Sequence, residues 1–177
     1  MLLLLACGAP DNAWVVHEQA PRELEPIDTV IFTEGPFYDL GERAELLLTS
    51  GRPSCETFAE STDSLLAEQG STLYADEGLY VTLSALTWDG DDAPEPFEQN
   101  AWEGTWTRTT YTPTRQVTVA PWVFHDSQLT ALPASSFLLT FDEVDGARAI
   151  GHLESDWYSV TFEADHCGTM TTYGIGE

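Results

Sequence analysis

The chain is 177 residues long and 42% hydrophobic, which is enough to bury one good core and makes a single domain the default expectation. Its formal charge of −24 comes from 30 acidic residues against six basic ones. A surface this negative repels phosphate backbones and anionic lipid, which argues against direct nucleic-acid binding. The six basic residues are all arginines (Arg22, Arg43, Arg52, Arg108, Arg115 and Arg148), and there is no lysine. Calcium, cationic partners and high-salt solubility stay open, and a solvated acidic coat is the plainest reading of the charge.

The chain opens Met1-Leu2-Leu3-Leu4-Leu5-Ala6-Cys7-Gly8. Leu4-Leu5-Ala6-Cys7 resembles the lipobox at which bacterial lipoprotein precursors are cleaved, leaving a lipidated cysteine as the new first residue. Leu5 is bulkier than the small residue usual at that place. The apolar run is also shorter than an h-region of about 7–15 residues and no basic segment precedes it, so a true start upstream of Met1 is expected. The alternative is a short apolar N-terminus that tucks into the core or frays. No other apolar run is long enough to span a bilayer, so membrane contact is expected only through a lipid anchor at Cys7. Residues 1–7 thus read as a truncated signal-like segment. Residues 8–28 place Pro10, Pro21 and Pro26 among Asp11, Glu18, Glu23 and Glu25, the composition of a flexible stem. Within it, Trp14-Val15-Val16 can add an edge strand.

Residues 29–177 read as a single, mainly β domain. Thr29-Val30-Ile31-Phe32-Thr33 is a β-branched strand ending at Gly35-Pro36, and Phe37, Tyr38 and Leu40 follow in a loop. The run Leu46-Leu47-Leu48 predicts a second strand buried on both faces. Ser54 can cap a helix over residues 55–69, with Phe58, Leu65 and Leu66 on one face and Gly70 at its end. Leu79, Val81, Leu83 and Ala85 alternate with Tyr80, Thr82 and Ser84, the mark of a half-buried strand. Residues 102–111 alternate in the same way, and residues 117–124 and 137–141 complete the middle of the sheet. Asp145-Gly146 predicts a type I′ hairpin turn, after which residues 147–153 return and Tyr158, Val160, Phe162 and Ala164 line one face of a closing strand. The tally is about eight strands and one short helix, spaced as an antiparallel β-sandwich or barrel-like domain would space them.

With Cys7 assigned to lipid, Cys55 and Cys167 remain as a pair, and export to an oxidising compartment favours their union. A metal site at His166-Cys167 lacks the clustered ligand spacing that zinc needs. Cys55 at a helix N-terminus could be reactive, but no histidine base is identified for it.

No catalytic constellation emerges, and the chain reads as non-enzymatic. His17, His125, His152 and His166 read as surface or strand-end residues; His125-Asp126-Ser127 places neighbours on opposite faces of a strand and has no nucleophile elbow. Asp89, Asp91 and Asp92 are weak calcium candidates, as is the run 142–145, but neither fits the EF-hand spacing. A hydrolase built on these acidic turns is a third reading, and no cofactor is implied. Trp88, Trp102 and Trp106 are candidate ligand-binding residues: facing outward, they would offer a stacking platform for a glycan or a patch for a protein partner, and facing inward they fill the core. Glycan binding through such rings is the alternative to a plain binding or structural role.

The lipobox-like cysteine, the proline-rich stem, the stretch Leu46-Leu47-Leu48-Thr49-Ser50-Gly51-Arg52-Pro53-Ser54-Cys55 and the closing Phe162-Glu163-Ala164-Asp165-His166-Cys167-Gly168 together are similar to small predicted bacterial lipoproteins of unknown function. The resemblance implies an exported, lipid-anchored location in the cell envelope and brings no activity with it.

Overall fold

The alternation of apolar and polar side chains along β-branched and aromatic stretches sets the architecture. The computed structural model describes residues 13–37, 41–52, 54–55, 77–87, 102–111, 115–125, 128–132 and 136–169. Seven long strands carry the wall: β2 (Thr29–Phe37), β3 (Gly41–Thr49), β4 (Gly78–Thr87), β7 (Arg115–His125), β9 (Leu138–Val144), β10 (Arg148–Glu154) and β11 (Tyr158–Thr169). Four short ones fit around them: β1 (Ala13–Val16), β5 (Gly104–Trp106), β6 (Thr109–Tyr111) and β8 (Gln128–Ala131).

All eleven strands belong to one sheet in the order β5-β9-β10-β11-β2-β3-β4-β7-β6, with β1 beside β11 and β8 beside β7. The two ends of this order, β5 and β6, are joined in sequence by Thr107 and Arg108 alone. The sheet must therefore curl until its edges nearly meet, and it forms an almost closed, barrel-like wall. The expected eight antiparallel strands become eleven in a mixed sheet. Residues 102–111 split into β5 and β6 where the chain crosses the seam. There Thr107 Oγ1 donates to the Thr109 carbonyl at 3.2 Å. β1 and β8 add two more strands. The parallel element is β11 against β2, through Asp165↔Ile31 and His166↔Phe32; the earlier half of β11 pairs antiparallel with β1.

Inward-facing side chains fill the barrel. Phe32, Phe141 and Phe162 meet edge to face at centroid distances of 5.2 Å and 5.8 Å, an arrangement that suits the aromatic quadrupole. The leucine run of β3 is buried on both faces, as its composition predicts: Leu46 and Leu48 belong to the interior, and Leu47 joins Ile31, Tyr80 and Phe124 in a second apolar cluster on the outer wall.

Residues 13–28 depart from the expected stem. Leu24 and Ile27 are 3% and 5% exposed within the core, and Tyr158 donates to the Arg22 carbonyl at 2.9 Å. Trp14 stacks on Tyr158 at 5.2 Å. Trp14, Leu24 and Ile27, spaced along a proline-containing stretch, are enough to dock it as an extended strap, because proline suits extended backbone as well as it suits a tether. β2 likewise runs through Gly35-Pro36 to Phe37 instead of stopping before them. The helix expected over residues 55–69 lies, apart from Cys55, outside the described residues.

The closing hairpin forms, but with a different turn. Gly146 does not take a positive φ, so no type I′ turn is made. Instead the Asp145 carboxylate accepts from the amides of Ala147 and Arg148 at 2.7 Å and 2.8 Å, and the Asp145 amide donates to the Arg148 carbonyl at 2.9 Å. The aspartate side chain thereby ties the turn through hydrogen bonds to the backbone two and three residues on. A bulge follows between Ile150 and Gly151, where Ile150 opposes Glu143 and Gly151 opposes Phe141. The extra residue, Asp142, lets Phe141 and Val144 both face inward while Asp142 and Glu143 face out.

Candidate functional site

Cys55 and Cys167 form a disulfide with Cα atoms 5.1 Å apart across a sequence separation of 112. It ties the chain leaving β3 to the end of β11, beside the outer apolar cluster that Cys167 helps to pack.

The stacking platform is not met at two of its three residues. Trp102 is 0% and Trp106 7% exposed; their rings meet edge to face at 6.3 Å, and Trp106 Nε1 donates to the Trp102 carbonyl at 2.7 Å. Trp106 faces inward from the end of β5 and Trp102 from the turn before it, and the two rings pack the interior beside the seam. Trp88, the calcium candidates Asp89, Asp91 and Asp92, and the lipidation candidate Cys7 lie outside the described residues.

The carboxylates of the 142–145 run are taken up by neighbouring side chains and by the turn, with Glu143 and Asp145 both reaching Arg148. Asp142 lies 3.6 Å from His152 Nδ1, Glu143 lies 3.1 Å from Arg148, and Asp145 caps its own turn. Hydrogen bonds from the Ala147 and Arg148 amides hold the Asp145 carboxyl below its ordinary range. Among the described residues no group of three or more histidine, cysteine, aspartate or glutamate side chains is gathered as a metal would need. Each histidine has its own partner: His17 Nε2 meets Ser159 Oγ at 2.8 Å, His125 Nε2 meets Glu77 at 3.1 Å, and His166 Nε2 lies 3.5 Å from Glu34 Oε1.

Two polar clusters and one cleft remain. At the end of the barrel where β2 meets β11, Glu34 faces His166, and burial raises the affinity of its carboxyl for a proton. The imidazole opposes that rise, as does a hydrogen bond from the Trp102 side chain. On the outer wall, β3 sets Arg43 and Glu45 two residues apart on the same face. Arg43 lies 2.6 Å from Glu45 and donates to the Tyr80 hydroxyl at 3.3 Å. Burial, and then the neighbouring Glu45 charge, push the Tyr80 phenol well above its ordinary range.

The cleft lies at the seam itself. It has a volume of about 550 Å³ and is lined by Thr107, Arg108, Thr109, Ser136, Phe137, Leu138 and Glu154. Sequence reasoning missed it, since its lining comes from the β5–β6 crossing on one side and from β9 and β10 on the other. No local pattern marks residues that become neighbours only when a sheet closes on itself.

Among the described residues no helix is long and apolar enough to cross a membrane. Comparison with protein-family models, with curated proteins and with solved structures finds no match to this chain.

Proposed function

We propose that this chain is a non-enzymatic, envelope-anchored β-barrel domain whose role is binding or structural. The observation that carries the reading is the Cys55–Cys167 disulfide. Such bonds persist in oxidising compartments and are rare where thiols are kept reduced, so the pairing supports an exported protein. Lipidation of Cys7 would hold the barrel at a membrane surface, with the −24 charge keeping the body off anionic lipid. The barrel interior is occupied by its own side chains, which leaves the outer wall and the seam cleft to meet a partner. The hydroxyls of Thr107, Thr109 and Ser136, beside Arg108 and Glu154, suit a polar protein or glycan surface.

The anchor is tested by growing cells that produce the protein from its native start with a clickable palmitate analogue. The expected result is label in the wild-type band and none in Cys7→Ala, with the wild type in the membrane fraction. An unlabelled wild-type protein in the soluble cytosol would overturn both anchoring and export.

A further inference from the structure

His166 is held from three sides. Its ring Nδ1 bonds the Asp145 carbonyl, its amide donates to the Ala147 carbonyl at 3.0 Å, and its ring packs edge-on against Phe32 at 5.2 Å. The side chain is 6% exposed. Ring and backbone of this one residue therefore fasten the β9–β10 turn onto β11 where β11 runs parallel to β2.

We propose that Glu34 and His166 form a proton-operated latch: a proton held between them clamps the 145–147 turn against β11 and β2, and its loss loosens that closure. A carbonyl oxygen only accepts, so Nδ1 must carry a hydrogen. Nε2 is buried, lacks a hydrogen-bond partner and lies 3.5 Å from Glu34 Oε1. With Nδ1 alone protonated, a ring lone pair faces a carboxylate, two acceptors confronting each other with the ring nitrogen shut off from water. One further proton, on either atom, converts that opposition into an attraction. Histidine is the side chain whose charge ordinarily changes between about pH 5 and 8, and burial shifts the Glu34 carboxyl toward holding a proton.

The described groups near the pair are mostly acidic. Glu34 faces it from β2, the Asp145 carboxylate lies within electrostatic reach from the turn, and Glu103 accepts from the Val144 amide at 3.2 Å on the β5 side. The nearby cation, Arg148, is shared among Glu143, Asp145 and Glu163 at 3.1, 3.9 and 3.5 Å, so the surroundings stay net negative. Asp165, next on β11, is exposed and points to the opposite face of the strand.

The test is amide hydrogen exchange of Asp145 and His166 in the intact chain, expressed as protection and followed from about pH 8 to about pH 5.5. In the wild type, protection at both amides should rise as pH falls, by up to about tenfold per pH unit, the ceiling for one linked proton. Glu34→Gln and His166→Gln should flatten that slope. A flat wild-type profile, or the same slope in wild type and both variants, overturns the latch. Should either variant fail to fold, the wild type decides alone: the His166 ring nitrogen and Glu34 carboxyl NMR resonances must move over this pH range, and their standing still overturns the proposal.

Discussion

Gly151 shows how one missing methyl group sets a strand's course. A Cβ at this position would sit 2.0 Å from the Thr140 carbonyl oxygen and 3.1 Å from the Phe141 Cα. Both are backbone atoms of β9, and neither can swing aside. The β9–β10 bulge brings the two backbones this close, and the same bulge keeps Phe141 and Val144 in the core. Gly151→Ala should therefore destabilise the fold by roughly 1–3 kcal/mol, the usual cost of forced overpacking, read as a lowered urea midpoint at unchanged slope. An unshifted midpoint would mean that the bulge is not as tight as described. The tryptophans carry the complementary lesson. Trp102 and Trp106 are both buried, but Gly104 between them is exposed and Trp102 precedes the strand, so strict alternation does not hold here; a large ring beside an incompletely closed seam is drawn inward by the apolar area it can bury.

At the scale of elements, long strands were legible and short ones were not. Residues 79–85 and 158–164 have enough alternation to identify β4 and β11, and Leu46 to Leu48 announce a strand covered on both sides. β8, with four residues, and β5 and β6, with three each, are too short to establish a period; they exist because β7 and β9 offer them edges to pair with. The strap over residues 13–28 was misread for a related reason: proline density signals extended backbone, and only the placement of Leu24 and Ile27 tells docked from free. The outer wall of β3 and β4 carries a pH prediction. Tyr80 is neutral and buried, with its phenol held well above the ordinary 10.0, while the unfolded chain releases that proton at about pH 10. A group of this kind costs nothing below the unfolded value, and its contribution to stability falls as pH rises past it. Tyr158 is raised as well, by burial, and acts with the same sign. Stability should fall steeply above about pH 10, and Tyr80→Phe should make that fall shallower in denaturant titrations; an identical alkaline limb in the variant would rule Tyr80 out as its source.

For the whole molecule, closure is the organising fact. A nearly closed sheet with 30 acidic residues in the chain must hold itself shut against its own charge. Interior aromatics and the crossing at Thr107 and Arg108 act on that closure, while the His166 contacts and the disulfide brace β10, β11, β2 and β3 in the middle of the wall. Mainly β character and the cysteine pairing were readable from composition, strand periodicity and the two cysteines left once Cys7 is set aside. Strand order was not, since β11 finds β2 as a parallel neighbour across more than a hundred residues and no local signal encodes such a pairing. The disulfide bridges a separation of 112 residues, for which the chain-entropy model gives about 4–5 kcal/mol as an upper figure. The exported location proposed above rests on this bond. The most direct measurement is a tryptic map of protein purified from its own cells without reductant. Cleavage at arginine, with the Arg52-Pro53 bond resisting, should leave the peptide 44–108 joined to 149–177, and reduction should separate them. Free thiols at Cys55 and Cys167, or either cysteine joined instead to Cys7, would contradict the clasped barrel.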